Sequence, residues 1–103
     1  MRYLPFGSTG AIVSELGFGG IPIIRLTTED AVRVLKRAYD RGITFFDTAN
    51  SYEGSEEKIG SALSGVREKI FIATKSKNRD GKGVTEHIDL SLKRMKTDYV
   101  DLF

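Results

Sequence analysis

The chain has no cysteine and a single histidine in 103 residues. A disulfide framework and a thiolate metal site are therefore excluded, and no metal centre is expected. No apolar run is long enough to span a bilayer, so no membrane partner is expected. The opening residues MRYLPFGSTG lack a basic stretch followed by an apolar one, which leaves no secretory signal in view and makes the cytoplasm the default compartment. Charge of one sign is also scarce. A formal net charge of +2, with Lys and Arg spread along the chain, is too small to imply a nucleic-acid partner. What is present is the composition of a soluble globular protein, 40% hydrophobic and 29% charged. The length suits one small domain or part of a larger one.

Patterning divides the chain into alternating elements. "RYLPF", the turn-rich "GSTG" and "AIVSEL" read as a β-hairpin. The runs "LGFGG" (16–20), "ITFFDT" (43–48), "KIFIAT" (69–74) and "DYVDLF" (98–103) are continuously apolar, as in parallel strands buried on both faces. Between them lie three helices. The first is capped by Thr27, presents Ala31, Val34, Leu35 and Ala38 on one face and stops at Gly42. The second is capped by Ser55, carries Glu56 and Glu57 at the positive end of its dipole, turns Ile59, Ala62 and Leu63 inward and ends before Gly65. The third opens near Thr85, with Ile88, Leu92 and Met95 inward and Lys93, Arg94 and Lys96 near its end.

A hairpin followed by β-α-β-α-β-α-β predicts an α/β fold with right-handed crossovers. A (β/α)8 barrel takes about 250 residues. Four strands in 103 residues therefore predict half of a (β/α)8 TIM barrel, with a flavodoxin-like sheet as the competing architecture. The last apolar run ends at Phe103, and the expectation is that residues 1–103 form an N-terminal half-barrel fragment.

Asp47 follows two phenylalanines at the end of a buried run. A carboxylate there is costly to desolvate without a cation. Lys75 lies at the end of the next strand, and parallel neighbours bring ends of the same polarity to one rim, where barrel enzymes place their chemistry. Tyr52 is on the loop over that rim. A phenol, which ordinarily ionises near pH ~10, is a poor acid at neutral pH unless an ammonium stabilises its anion. The trio reads as a general acid, Tyr52, its tuning group, Lys75, and an orienting carboxylate, Asp47. Taken singly each has a plainer reading: a turn cap, a cover for core surface, a solvated lysine. Convergence on one rim is what favours the catalytic one.

The residues that carry this trio, "GITFFDTANSYEGSEEKIG" with "FIATKS" and "SLKRMKTDYVDLF", resemble the N-terminal half of the aldo-keto reductases, (β/α)8 barrels that reduce carbonyls with NADPH. The similarity covers the whole chain. It implies that Tyr52 is the proton donor, that Asp47 and Lys75 support it, and that Gly19, Gly20, Ile21 and Asp47 approach the nicotinamide end of the cofactor. A small carbonyl compound is the implied substrate. Two departures stand out. The family usually has Gly directly after the tyrosine, where this chain has Glu53 and then Gly54. Its fourth catalytic residue, a histidine, and most of its NADPH pocket would fall beyond Phe103. His87, within the third helix, is expected away from the rim as an exposed or packing residue.

Other features carry less. "GFGG" (17–20) lacks the third spaced glycine and helix start of a dinucleotide fingerprint. Lys77, Arg79 and Lys82 around Asn, Asp and Gly read as a solvated loop rather than a phosphate site. The 103-residue chain alone is expected to reduce no carbonyl and, with its inner sheet face and strand edges open, to self-associate. The alternative function is a non-enzymatic half-barrel, serving as a folding or assembly fragment or a binding module.

Overall fold

The computed structural model describes residues 1–103. Strands β1 (Tyr3–Pro5) and β2 (Ile12–Ser14) form an antiparallel hairpin. Strands β3 (Gly17–Gly19), β4 (Phe45–Asp47) and β5 (Phe71–Ala73) form a parallel sheet in the order β3-β4-β5. Helices α1 (Thr28–Asp40), α2 (Ser55–Leu63) and α3 (Gly81–Met95) pack on one side of that sheet. The fold is the α/β class that the alternating pattern predicts, with each named strand shorter than its apolar run.

The last expected strand is the main departure. Residues 98–103 form no strand and meet β5 through one parallel bridge, Ala73 to Leu102. A side chain replaces part of the ladder: the Ile72 N–H donates to Asp101 Oδ2 at 2.8 Å, not to a backbone carbonyl. Arg67, 7% exposed, then staples the segment by donating to Asp101 Oδ2 (2.8 Å) and to the Tyr99 carbonyl (3.0 Å). Its guanidinium also lies 3.8 Å from the centroid of the Tyr99 ring.

Helix boundaries follow from which polar atoms are free to cap. Thr27 caps α1 by accepting from the Asp30 N–H at 3.1 Å, and Ala31 and Leu35 are fully buried. Val34 is exposed instead of inward, because it lies about 100° around the helix from Leu35, on a flank that no element covers. Helix α2 is capped by Gly54, at φ 75, and not by Ser55, whose hydroxyl is engaged elsewhere. It ends at Leu63, where a 3₁₀ segment over Ser64–Lys69 takes over. Helix α3 begins four residues ahead of Thr85: Asp80 caps it by accepting from the Gly83 N–H at 2.7 Å. Thr85 Oγ1 instead bonds back to the Gly81 carbonyl.

Strand alternation sorts the sheet into two faces. Phe46 and Ile72 are in register and point toward the helices, into a core with Ile23, Leu35, Ile59, Leu63 and Met95. Gly60 lets α2 and α3 close on each other, since a Cβ there would sit 2.7 Å from the Arg94 carbonyl oxygen and the Met95 Cα. Gly17, Gly19, Phe45, Asp47, Phe71 and Ala73 occupy the opposite face, which carries no helix and is open at β3 and β4, while Phe71 and Ala73 are buried. At its base the Phe6 ring packs at a tilt against Phe45 (5.4 Å between centroids) and Phe71 (5.1 Å).

Candidate active site

Asp47 ends β4 and Lys75 lies two residues past β5, so both side chains emerge on the open face at the C-terminal rim. The Lys75 ammonium donates to Asp47 Oδ1 (3.0 Å), Asp47 Oδ2 (2.9 Å) and the Thr48 carbonyl (2.7 Å). The same Nζ stands 5.2 Å from the centroid of the Tyr52 ring, within cation–π range. Tyr52 is held by a turn in which its N–H donates to the Ala49 carbonyl at 3.1 Å and its carbonyl accepts from Ser55 N at 2.9 Å. The three predicted residues are brought together, with Lys75 against the ring face of Tyr52. The inserted Glu53 is absorbed ahead of Gly54, whose left-handed backbone starts α2.

Gly19 is in register with Asp47, and nothing lies within 4 Å of where its Cβ would be. Gly20 donates its N–H to the Asp47 carbonyl at 2.8 Å. Here only glycine fits, because a Cβ would meet Ser55 Oγ at 2.6 Å and the Asp47 carbonyl oxygen at 3.0 Å. Ile21 follows as an exposed apolar residue before a 3₁₀ turn over Pro22–Arg25. Together these residues leave an open, partly apolar shelf beside the Asp47–Lys75 pair.

The first turn of α2 ties the rim loops together, and this was not visible in the patterning. Ser55 Oγ bonds Thr48 Oγ1 (2.8 Å) and donates to the Gly20 carbonyl (3.1 Å). Glu56 is fully buried and accepts from Thr74 Oγ1 (2.7 Å) and Arg94 Nη1 (3.0 Å). Buried Lys58 donates to the Ile23 and Ile24 carbonyls (2.9 and 3.0 Å), anchoring the loop after β3. The one available sequence signal was a Glu in the opening turn of one helix with an Arg in the last turn of the next.

His87 is nearer the rim than expected. With α3 starting at Gly81, its ring sits in the second turn, bonded through Nδ1 to Ser76 Oγ (2.7 Å), the residue after Lys75, and through Nε2 to Asn78 Nδ2 (3.3 Å). It ties the loop 76–80 to α3.

An N-terminal hairpin under parallel strands, with a Tyr, Lys and Asp at their C-terminal rim, is the architecture of part of a (β/α)8 barrel. The chain belongs to the aldo/keto reductase family, whose family model matches residues 15–103. It is 35% identical over 97 residues to methylglyoxal reductase DkgA of Salmonella typhimurium, covering 91% of this chain and 34% of that protein. It is 36% identical over 111 residues to L-galactose dehydrogenase of Arabidopsis thaliana, covering 93% and 35%. Among solved structures, an aldo-keto reductase from Bacillus halodurans in its holo form superimposes with a TM-score of 0.87 at 32% identity, over 97% of this chain and 38% of that one. A crystal structure of an aldo-keto reductase from Pseudomonas aeruginosa gives a TM-score of 0.87 at 34% identity, over 95% and 43%. The chain thus spans well under half the length of these relatives. No helix is long and apolar enough to cross a membrane.

Proposed function

We propose that residues 1–103 are the N-terminal catalytic half-barrel of a cytoplasmic, NADPH-dependent reductase that converts aldehydes or ketones to alcohols. The observation that carries this reading is the Lys75 ammonium, held by both Asp47 oxygens and the Thr48 carbonyl while it lies against the Tyr52 ring. The names of a methylglyoxal reductase and an L-galactose dehydrogenase among the relatives support carbonyl–alcohol chemistry. The shelf at Gly19 fits a flat ring, since no atom lies within 4 Å of its missing Cβ, and Gly20, Ile21 and Asp47 would flank it. When bound, NADPH supplies the hydride that adds to the carbonyl carbon. Tyr52 delivers the proton that the carbonyl oxygen takes as its π bond breaks, and Lys75 stabilises the phenolate that remains. Asp47 fixes the ammonium in place.

Joining the residues that follow the aligned segment of the Bacillus halodurans relative to Phe103 tests the reading. The chimera should oxidise NADPH in the presence of an aldehyde, and Tyr52→Phe should cost roughly 10²–10⁴-fold, the range of a lost general acid. The 103-residue chain alone should show no such turnover. A folded chimera equally active with Phe at position 52 overturns the assignment. The same reading holds that the chain on its own pairs with a second copy, because Leu16, Leu102 and Phe103 stay exposed at the open sheet.

A further inference from the structure

Glu56 and Arg94 close a ring of bonds around the base of the proposed site. Thr74, the residue before Lys75, donates its hydroxyl to Glu56 Oε2. Glu56 Oε1 accepts from Arg94 Nη1, and that same nitrogen donates to the Asn50 carbonyl at 3.0 Å. The Asn50 N–H in turn donates to the Lys75 carbonyl at 2.9 Å, which returns the path to its start. The loop that carries Tyr52 and the strand end that carries Lys75 are therefore joined twice, directly by the Asn50–Lys75 backbone bond and from below through one carboxylate and one guanidinium. Arg94 Nε also reaches Glu57 at 3.0 Å, which fixes the plane of the guanidinium on α2.

The chemistry of this ring is costly for a small domain. Glu56 is 0% exposed, and an ion so placed must recover its lost hydration from its partners. Well-packed apolar residues in place of such a pair are often neutral or stabilising, so stability alone supplies no reason for charge here. Direction does. A carboxylate offers two oxygens that accept along fixed lines, and a guanidinium is a rigid planar fork. An apolar filler would keep the helices packed but leave the Asn50 carbonyl and the Thr74 hydroxyl without these partners.

We propose that the Glu56–Arg94 pair is the positioning device that sets Lys75 against Tyr52, with Glu56 and Arg94 acting as positioning residues that touch neither substrate nor cofactor. This rests on the proposed function of Tyr52 and Lys75. Lysine ε-methylene resonances report the contact directly on the 103-residue chain, because a group over an aromatic ring is displaced upfield. The Lys75 signal should be displaced relative to the other lysines, and Tyr52→Leu should abolish the displacement. Glu56→Gln, which keeps volume, and the double variant Glu56→Leu with Arg94→Leu, which keeps an apolar pair, should each lose most of it while unfolding cooperatively. Arg94→Lys should restore little, lacking the fork. If Tyr52→Leu leaves the Lys75 signal unmoved, the pairing behind the proposed function fails. If Tyr52→Leu moves it but a folded Glu56→Gln or double variant does not, the positioning role alone is overturned. Should the double variant not fold, Glu56→Gln decides.

Discussion

The helix side and the open side of one three-stranded sheet are built from neighbouring residues and have opposite properties. Phe46 is fully buried under α1 and α2, whereas Phe45, one residue earlier, is half-buried with its ring against those of Phe6 and Phe71. On β5 the contrast is weaker: Ile72 is in the helix-side core, and Ala73, level with Asp47 on the other face, is buried as well. Period-two alternation separates the two jobs without separating them in sequence. Burial on the helix side holds the backbone still. The open side can then carry exposed charge at positions that burial would forbid.

Substitutions can break that contrast, and the largest effect is expected on the helix side. Phe46→Ala should cost about 3–5 kcal/mol, measured by urea unfolding, with Phe45→Ala clearly milder; equal losses would erase the distinction between the faces. Gly20→Ala should cost roughly 1–3 kcal/mol because the new methyl meets Ser55 Oγ and the Asp47 carbonyl. Gly19→Ala, pointing into open space, should stay within ~0.5 kcal/mol. On the open face, light scattering across a dilution series should find the chain associated, and Leu102→Ser should weaken association by ~10-fold, equivalent to about 1.4 kcal/mol. A monomer at all concentrations would mean that Phe6 and its neighbours already cover the face. The smallest change belongs to Asp47→Asn. Its ion pair with Lys75 is 48% exposed on each side, so the melting midpoint should report less than ~1 kcal/mol. A large loss would place structural weight on a pair assigned here to chemistry.

Much of this architecture was legible in local patterning. Continuous apolar runs identify the three paired strands, and the common polarity of parallel strand ends is enough to place Asp47 and Lys75 on one rim. The misses share a cause. Ser55 has the side chain of a cap, but its hydroxyl is better used between Thr48 and Gly20, a contact set by tertiary approach. Residues 98–103 have a strand's composition, yet Asp101 and Arg67 replace ladder bonds with side-chain bonds. Glu56, Lys58 and Arg94 look like ordinary helix-surface charges. Only the close packing at Gly60 and the loops above α2 put Glu56 and Lys58 inside and bring Arg94 to Glu56.

The hairpin has a practical consequence. Tyr3 donates to the Gly42 carbonyl at 3.0 Å, and Ser14 and Thr44 exchange bonds of 2.9 Å, which fastens the first residues beneath the strand starts. Met1 packs beside Gly42 and remains half-exposed there. A tether or reporter attached ahead of Met1 would emerge on the side of the molecule opposite Tyr52 and Lys75. Molecules immobilised through that end would all present the rim to solution, a ready orientation for surface-based binding measurements.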